Sequence, residues 1–368
     1  MASELDIKFR RLNDFLDRHK LDGVLLSNRN NFAWITCGRD NHIPNNSPQG
    51  VAAILATRDQ RICLANSIEA PRMIGEELTG TGINTVSYPW WDGNVAARVA
   101  NEVIAGRKIA ADVDPFDIGL PALPHDFAEL RWSLTIEEIA RYRDGAQRAA
   151  CAIEAACRAI QPGDSEHDIA GRLDDQIHRA RCNPVVTLVS ADDRVTQFRH
   201  PIPTNNKVRR IAMLVTCAEY QGLISCCTRF IHFGPISEEL KAKQQAIANI
   251  DTAVNLATRP GESLGKIFKV LQQAYADNGY PDEWKNHHQG GSTGYAGREA
   301  FANPDSAVTV RPNQAFAWNP SIVGAKCEDT VLVTPGGLDV LTQCTKDWPT
   351  VTGTWKGKTL QRPAILER

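Results

Sequence analysis

With 368 residues, 42% hydrophobic and 23% charged, the chain has the size and composition of a two-domain globular protein, which excludes disordered and fibrous classes. A formal net charge of −2 offers no general field for nucleic acid or an anionic membrane, and no apolar run approaches the ~20 residues of a membrane span. The opening Met1-Ala2-Ser3-Glu4-Leu5-Asp6 lacks a secretion pattern, so a cytoplasmic location and reduced states for the ten cysteines are expected. A helical pattern from about Glu4 to His19 leads into the strand-like Gly23–Leu26, followed by short apolar runs at Val51–Leu55 and Ile62–Leu64. This alternation predicts a small α/β domain over residues 1–130. Asp112–Pro124, with three prolines and one glycine in thirteen residues, reads as a connector. A second domain, residues 131–368, opens at Thr135-Ile136-Glu137-Glu138, a capping box ahead of a long amphipathic helix. Cys151 and Cys157 lie in that alanine-rich pattern and are expected as small buried hydrophobes. The helix stops at Gln161-Pro162-Gly163-Asp164-Ser165, and Arg259-Pro260-Gly261-Glu262-Ser263 repeats this punctuation 98 residues later, which suggests two related halves.

The chemistry-bearing segments follow in order: Leu214–Gly222, Gly222–Arg229, His287–Tyr295, Trp318-Asn319-Pro320 and Cys327-Glu328-Asp329-Thr330. Their sequence resembles that of the creatinase/methionine aminopeptidase/prolidase family (M24), whose fold is the pita bread. The resemblance implies an α+β chain: a pita-bread C-terminal domain of two pseudo-symmetric αβ halves facing across a cleft, preceded by a smaller α/β domain. Metal-dependent members hold two cations with two Asp, one His and two Glu, because hard divalent ions need several anionic oxygens. By motif alignment those positions here carry Val215, Cys226, Gly291 and Asn319, and only Glu328 survives. One carboxylate and a thiol do not hold two hard cations, so neither a metal nor another cofactor is expected.

Creatinase is the family's metal-free precedent. The resemblance puts His200, in Phe198-Arg199-His200-Pro201, at that enzyme's acid/base histidine, and imidazole titrates near neutrality as the role demands. Arg39 in Cys37-Gly38-Arg39 and Arg298 in Gly297-Arg298-Glu299 match its two carboxylate-binding arginines, and a guanidinium fork fits a carboxylate. Arg39 in that role implies a homodimer, since in the family one subunit's N-terminal domain closes its partner's cleft. The residues matching creatinase's guanidinium-binding carboxylates are Thr228 and Asn319, so a substrate less cationic than creatine is expected. His287 matches a substrate-contacting family histidine, whereas His288 has no counterpart and is read as structural. Glu328 and His287 complete the expected catalytic set, and Cys226, Tyr295 and Trp318 join the pocket, Cys226 as either an inert core thiol or a nucleophile. The expected function is therefore a metal-independent enzyme acting on a C–N bond of a small carboxylate-bearing substrate. A non-catalytic binding or scaffold protein, and an Xaa-Pro aminopeptidase or prolidase with an atypical metal, stay open beside it.

Overall fold

The computed structural model describes residues 3–368. The chain forms two compact units; the first reaches Arg131 and takes in Thr135–Glu138, and the second holds Trp132–Leu134 and Ile139–Arg368. Among the described residues no helix is long and apolar enough to cross a membrane.

In the first unit the opening helix, Glu4–His19, starts on a capping box in which Ser3 and Asp6 satisfy each other's backbone N–H groups. Strands β1 (Gly23–Asn28), β2 (Gln49–Thr57), β3 (Arg61–Asn66), β4 (Asn84–Tyr88) and β5 (Ile109–Ala111) form one mixed sheet in the order β4-β3-β2-β1-β5. Leu25, Leu55 and Leu64 from its inner strands pack with Ala100 and Ile104 of the helix Gly93–Ile104. The proline-rich segment after β5 is part of this unit and not a bare connector. The Asp112 carboxylate accepts from the Ser27 and Asn28 backbone N–H groups, and Asp114 accepts from those of Ile118, Gly119 and Leu120.

Thr135 and Glu138 make the predicted capping box, and the helix they open runs Ile136–Ala159. Cys157 is buried as expected, but Cys151 is exposed on the outer face of this helix. The second unit contains the helix-turn-helix arrangement twice. Helices Ile136–Ala159 and Glu166–Arg179 precede β6 (Asn183–Ala191), β7 (Ile211–Tyr220) and β8 (Leu223–His232); helices Glu238–Ala257 and Leu264–Asp277 precede β9 (Gly290–Thr293), β10 (Ala300–Phe301) and β11 (Gln314–Trp318). The two Pro-Gly turns are held alike: Gly163 N–H donates to Val208 O at 2.8 Å, and Gly261 N–H to Val310 O at 2.9 Å. The matching bridges Ser165–Lys207 and Ser263–Thr309 complete the correspondence, so the sequence repeat marks a structural one.

Seven further strands follow: β12 (Ser321–Ile322), β13 (Ala325–Lys326), β14 (Asp329–Thr334), β15 (Gly337–Val340), β16 (Thr350–Trp355), β17 (Lys358–Pro363) and β18 (Leu366–Glu367). One sheet has the order β18-β8-β7-β6 and the other β10-β9-β11-β14-β15. β7 and β8 join through Gln221 (φ 50°) and Gly222 (φ 80°), the paired positive φ values of a two-residue hairpin turn that matches strand twist. β8 also bonds to the second sheet, through Thr228 N–H to Glu328 O at 3.1 Å and Ile224 N–H to Gly294 O at 2.8 Å. The motif residues of both halves are thereby brought onto one locus.

Candidate functional site

Strand alternation aims the surviving carboxylate. Asp329 is pinned into the protein interior by Arg229 Nη1 at 3.0 Å and Arg362 Nη2 at 2.9 Å, each of these side chains no more than 1% exposed. Its neighbour Glu328 therefore points to the opposite face. There it accepts from Thr228 Oγ1 at 2.7 Å and pairs with Lys326 Nζ at 2.7 Å and Arg298 Nη2 at 3.3 Å. Burial works to raise its pKa, but Lys326 and then Arg298 outweigh it and hold the carboxyl at about 2. Glu328 is thus an anion whose charge is already met by two cations of the chain itself.

Cys226 lies beside this pair. It sits directly opposite Cys217 across the β7–β8 ladder, and Arg298 Nη1 is 3.3 Å from its sulfur. Thr330 Oγ1 accepts from its N–H at 2.7 Å and donates to its carbonyl at 3.0 Å, which fixes the backbone. The Cys217 thiol donates to Cys226 and lowers its pKa; burial opposes this and the Arg298 charge assists it, while Cys217 is pushed up. Cys226 is therefore the more acidic thiol of the pair, although its side chain has no exposure to solvent.

The histidines form a second group. The loop carrying His200 is tied to the turn Glu283–Asn286 by the Arg199–Glu283 ion pair, so His200 meets His287, which directly follows that turn. Their Nε2 atoms are 3.0 Å apart, and Ser321 Oγ lies 3.1 Å from His287 Nδ1. His288, read from sequence as structural, packs against both, at 4.6 Å from His287 and 5.5 Å from His200 between ring centroids. Burial and the nearby Lys326 charge lower the His200 pKa, against a smaller upward pull from Glu328. Burial, then the positive charge of Lys326 and the neighbouring histidines, takes His287 to about 2. These rings are neutral at physiological pH and carry a lone pair for proton transfer.

The other expected residues divide. Asn319 is buried with Oδ1 unpartnered, as is Arg298 Nε, so an acceptor and a donor remain unmatched here. Tyr295 is buried with its hydroxyl 2.6 Å from Arg141 Nη2. Trp318 is a correction: its ring stacks on Phe316 in the core and its Nε1–H donates to Thr258 Oγ1 at 3.0 Å, because it alternates with Ala317, which packs against Cys226. It supports the sheet from behind and does not line the pocket. Arg39 belongs to the other unit, where it is exposed. Sequence reading assigned no role to Lys326, Cys217 or Ser321, and its reading of His288 was structural. A strand-period argument would have found Lys326, which lies two residues before Glu328 and so on its side of the chain.

The donor set does not fit the family's dinuclear centre. Val215 and Gly291 offer no ligand, Asn319 is neutral, and Glu328 faces an ammonium and a guanidinium that would repel a divalent ion. Gly291 has φ +152°, and a Cβ there would lie 2.0 Å from Ala300 O, so this backbone has no room for a liganding histidine.

Comparison with known proteins agrees with this architecture. The chain is 23% identical to an uncharacterized peptidase of Staphylococcus epidermidis over 59% of this chain and 64% of that protein, so the match spans under two thirds of the relative's length. The fold is similar to that of a prolidase from Pyrococcus horikoshii OT3 (TM-score 0.77, 19% identity, 92% of this chain and 99% of that one). It is also similar to an Xaa-Pro dipeptidase from Bacillus anthracis (TM-score 0.76, 19% identity, 92% and 98%). The model of metallopeptidase family M24 matches residues 140–335, more than half of the sequence and the whole of the site built above in the second unit; the chain belongs to that family.

Proposed function

We propose that the chain is a metal-independent hydrolase that cleaves a C–N bond in a small molecule bearing a carboxylate, with His200 as the acid/base. The observation that carries this reading is the pairing of Glu328 with Lys326 and Arg298, which replaces divalent cations by side-chain charge and leaves neutral imidazoles nearby. In the reaction His200 takes a proton from water at Nδ1, the oxygen bonds to the carbon, the C–N bond breaks, and the same proton passes from His200 to the departing nitrogen. His287, fixed by Ser321, orients His200 through the 3.0 Å contact. The unmatched Arg298 Nε–H meets the substrate carboxylate, and the unmatched Asn319 Oδ1 accepts from a substrate N–H. Cys226 and Thr228 hold Arg298 and Glu328 in place, and Tyr295 supports the strand end beside them. Arg39 is the second anchor, supplied across a homodimer in the cytoplasm, as the family arrangement implies. The peptidase names of the relatives favour hydrolysis over elimination.

The test is turnover of a panel of N-acyl and N-alkyl amino acids by chelator-dialysed protein. Product is expected without added metal, and His200→Ala should abolish it while far-UV dichroism stays unchanged. Activity that arises only on adding Mn2+ or Co2+ would overturn the proposal.

A further inference from the structure

We propose that His200, His287 and His288 form a mononuclear site for a borderline-soft divalent ion of the zinc class, and that the bound ion takes the acid/base histidine out of action. The three side chains each offer a ring nitrogen, and these donor atoms all lie within 4.8 Å of one another. Zinc–imidazole bonds of about 2.0–2.1 Å in tetrahedral array place donor nitrogens about 3.3 Å apart, so small rotations of two exposed rings suffice. His287 Nε2 and His200 Nε2 are already at 3.0 Å.

The surroundings resemble a supported ligand set more than a chance cluster. Ser321 Oγ engages His287 Nδ1, and accepting its proton leaves the Nε2 lone pair directed at the cluster. Ser321 is itself fixed, its N–H donating to Tyr275 Oη at 2.8 Å, and Tyr275 Oη is 2.8 Å from Gln289 Oε1. The Arg199–Glu283 pair fixes the loop bearing His200. His200 and His288 are exposed, which gives an ion an entry path and leaves a fourth position for water. Three imidazoles without a carboxylate select zinc-like ions over magnesium or calcium. This site differs from the family's carboxylate centre, whose positions do not fit a metal here.

Coordination uses the His200 lone pair, so an occupied site cannot accept a proton there; this inhibitory consequence rests on the proposed acid/base role, whereas ion binding does not. The test therefore reads binding alone. Full-length, chelator-dialysed protein is titrated with Zn2+ against a chromophoric chelator, and with Co2+ by visible absorption. One ion per chain and a tetrahedral cobalt spectrum are expected. Ser321→Ala should weaken binding about tenfold, and His288→Ala and His200→Gln should weaken it more, with melting temperatures reported for each to exclude misfolding. Unchanged affinity in both histidine variants would overturn the site. So would a near-ultraviolet sulfur-to-cobalt band, which would put the ion on Cys217 and Cys226. Binding without metal-free turnover would instead remove the proposed activity and leave the site standing.

Discussion

Replacing Lys326 by methionine tests how strongly the internal cations hold the Glu328 carboxylate. Lys326 Nζ and Glu328 Oε2 are 2.7 Å apart, and their side chains are 5% and 2% exposed. At an effective dielectric near 20 the attraction is about 6 kcal/mol before the desolvation of both ions is counted against it. Removing one partner of such a buried pair costs about 3–5 kcal/mol, since the other charge is left incompletely met. The titration of Glu328 gives a consistent scale: a shift from 4.5 to about 2 corresponds to about 3 kcal/mol shared among its partners. The sign follows from a folded-state pKa below the unfolded one. This stability is present above pH 4.5 and is lost as pH falls through the window down to about 2. Lys326→Met should therefore destabilise the protein by about 3 kcal/mol at pH 7, and by less near pH 3, because the variant's Glu328 protonates more readily. Urea denaturation at the two pH values measures both. In a double-mutant cycle, Lys326→Met should cost less when Glu328 is already Gln, with a coupling of about 2 kcal/mol. A cost under about 1 kcal/mol that is equal at both pH values would refute the reasoning.

Gly291→Ala should lower stability by more than about 2 kcal/mol, because the added Cβ meets a backbone carbonyl at 2.0 Å on a φ of +152°. Thermal unfolding reads this, and a variant as stable as the parent would show that the strand can accept a liganding side chain. The Arg199–Glu283 pair is half-buried, so exchanging the two residues should restore hydrogen-exchange protection of the loop around His200 that either single neutral substitution loses. A coupling of about 1 kcal/mol is expected, and simple additivity would remove the pair from any role in placing His200.

Long periodic elements were legible in the sequence because local rules and tertiary context agree there. The helix Glu4–His19 has its caps and apolar stripe in place, and the two Pro-Gly turns announced the duplicated halves. The connector reading of Asp112–Pro124 failed because proline and glycine content reports turn geometry, whereas Asp112 and Asp114 use those turns to bind the loop to its own unit. Trp318 failed for a different reason. A motif names neighbours along the chain, but strand alternation sends Trp318 into the core while Asn319 remains at the site. Lys326 was overlooked and His288 was read as structural because a motif comparison is blind to residues outside the motif's own positions.

The pairing of Glu328 follows a physical rule applicable beyond this chain. A buried carboxylate that loses its metal must be protonated, removed or paired with another cation. Glu328 is paired, by Lys326 from the hairpin leading into the carboxylate motif and by Arg298 from the loop after the glycine-rich strand. Cys226, at the position that aligns with a family Asp, has its pKa lowered by the Cys217 thiol and by Arg298. Positive charge fixed to the chain cannot leave or bind water as a ligand, so it orients an anion but does not activate a nucleophile. In the proposed reaction proton transfer falls to the neutral histidines beside it, so the Lys326 and His200 variants should fail differently: the first in stability and its pH dependence, the second in turnover and ion binding.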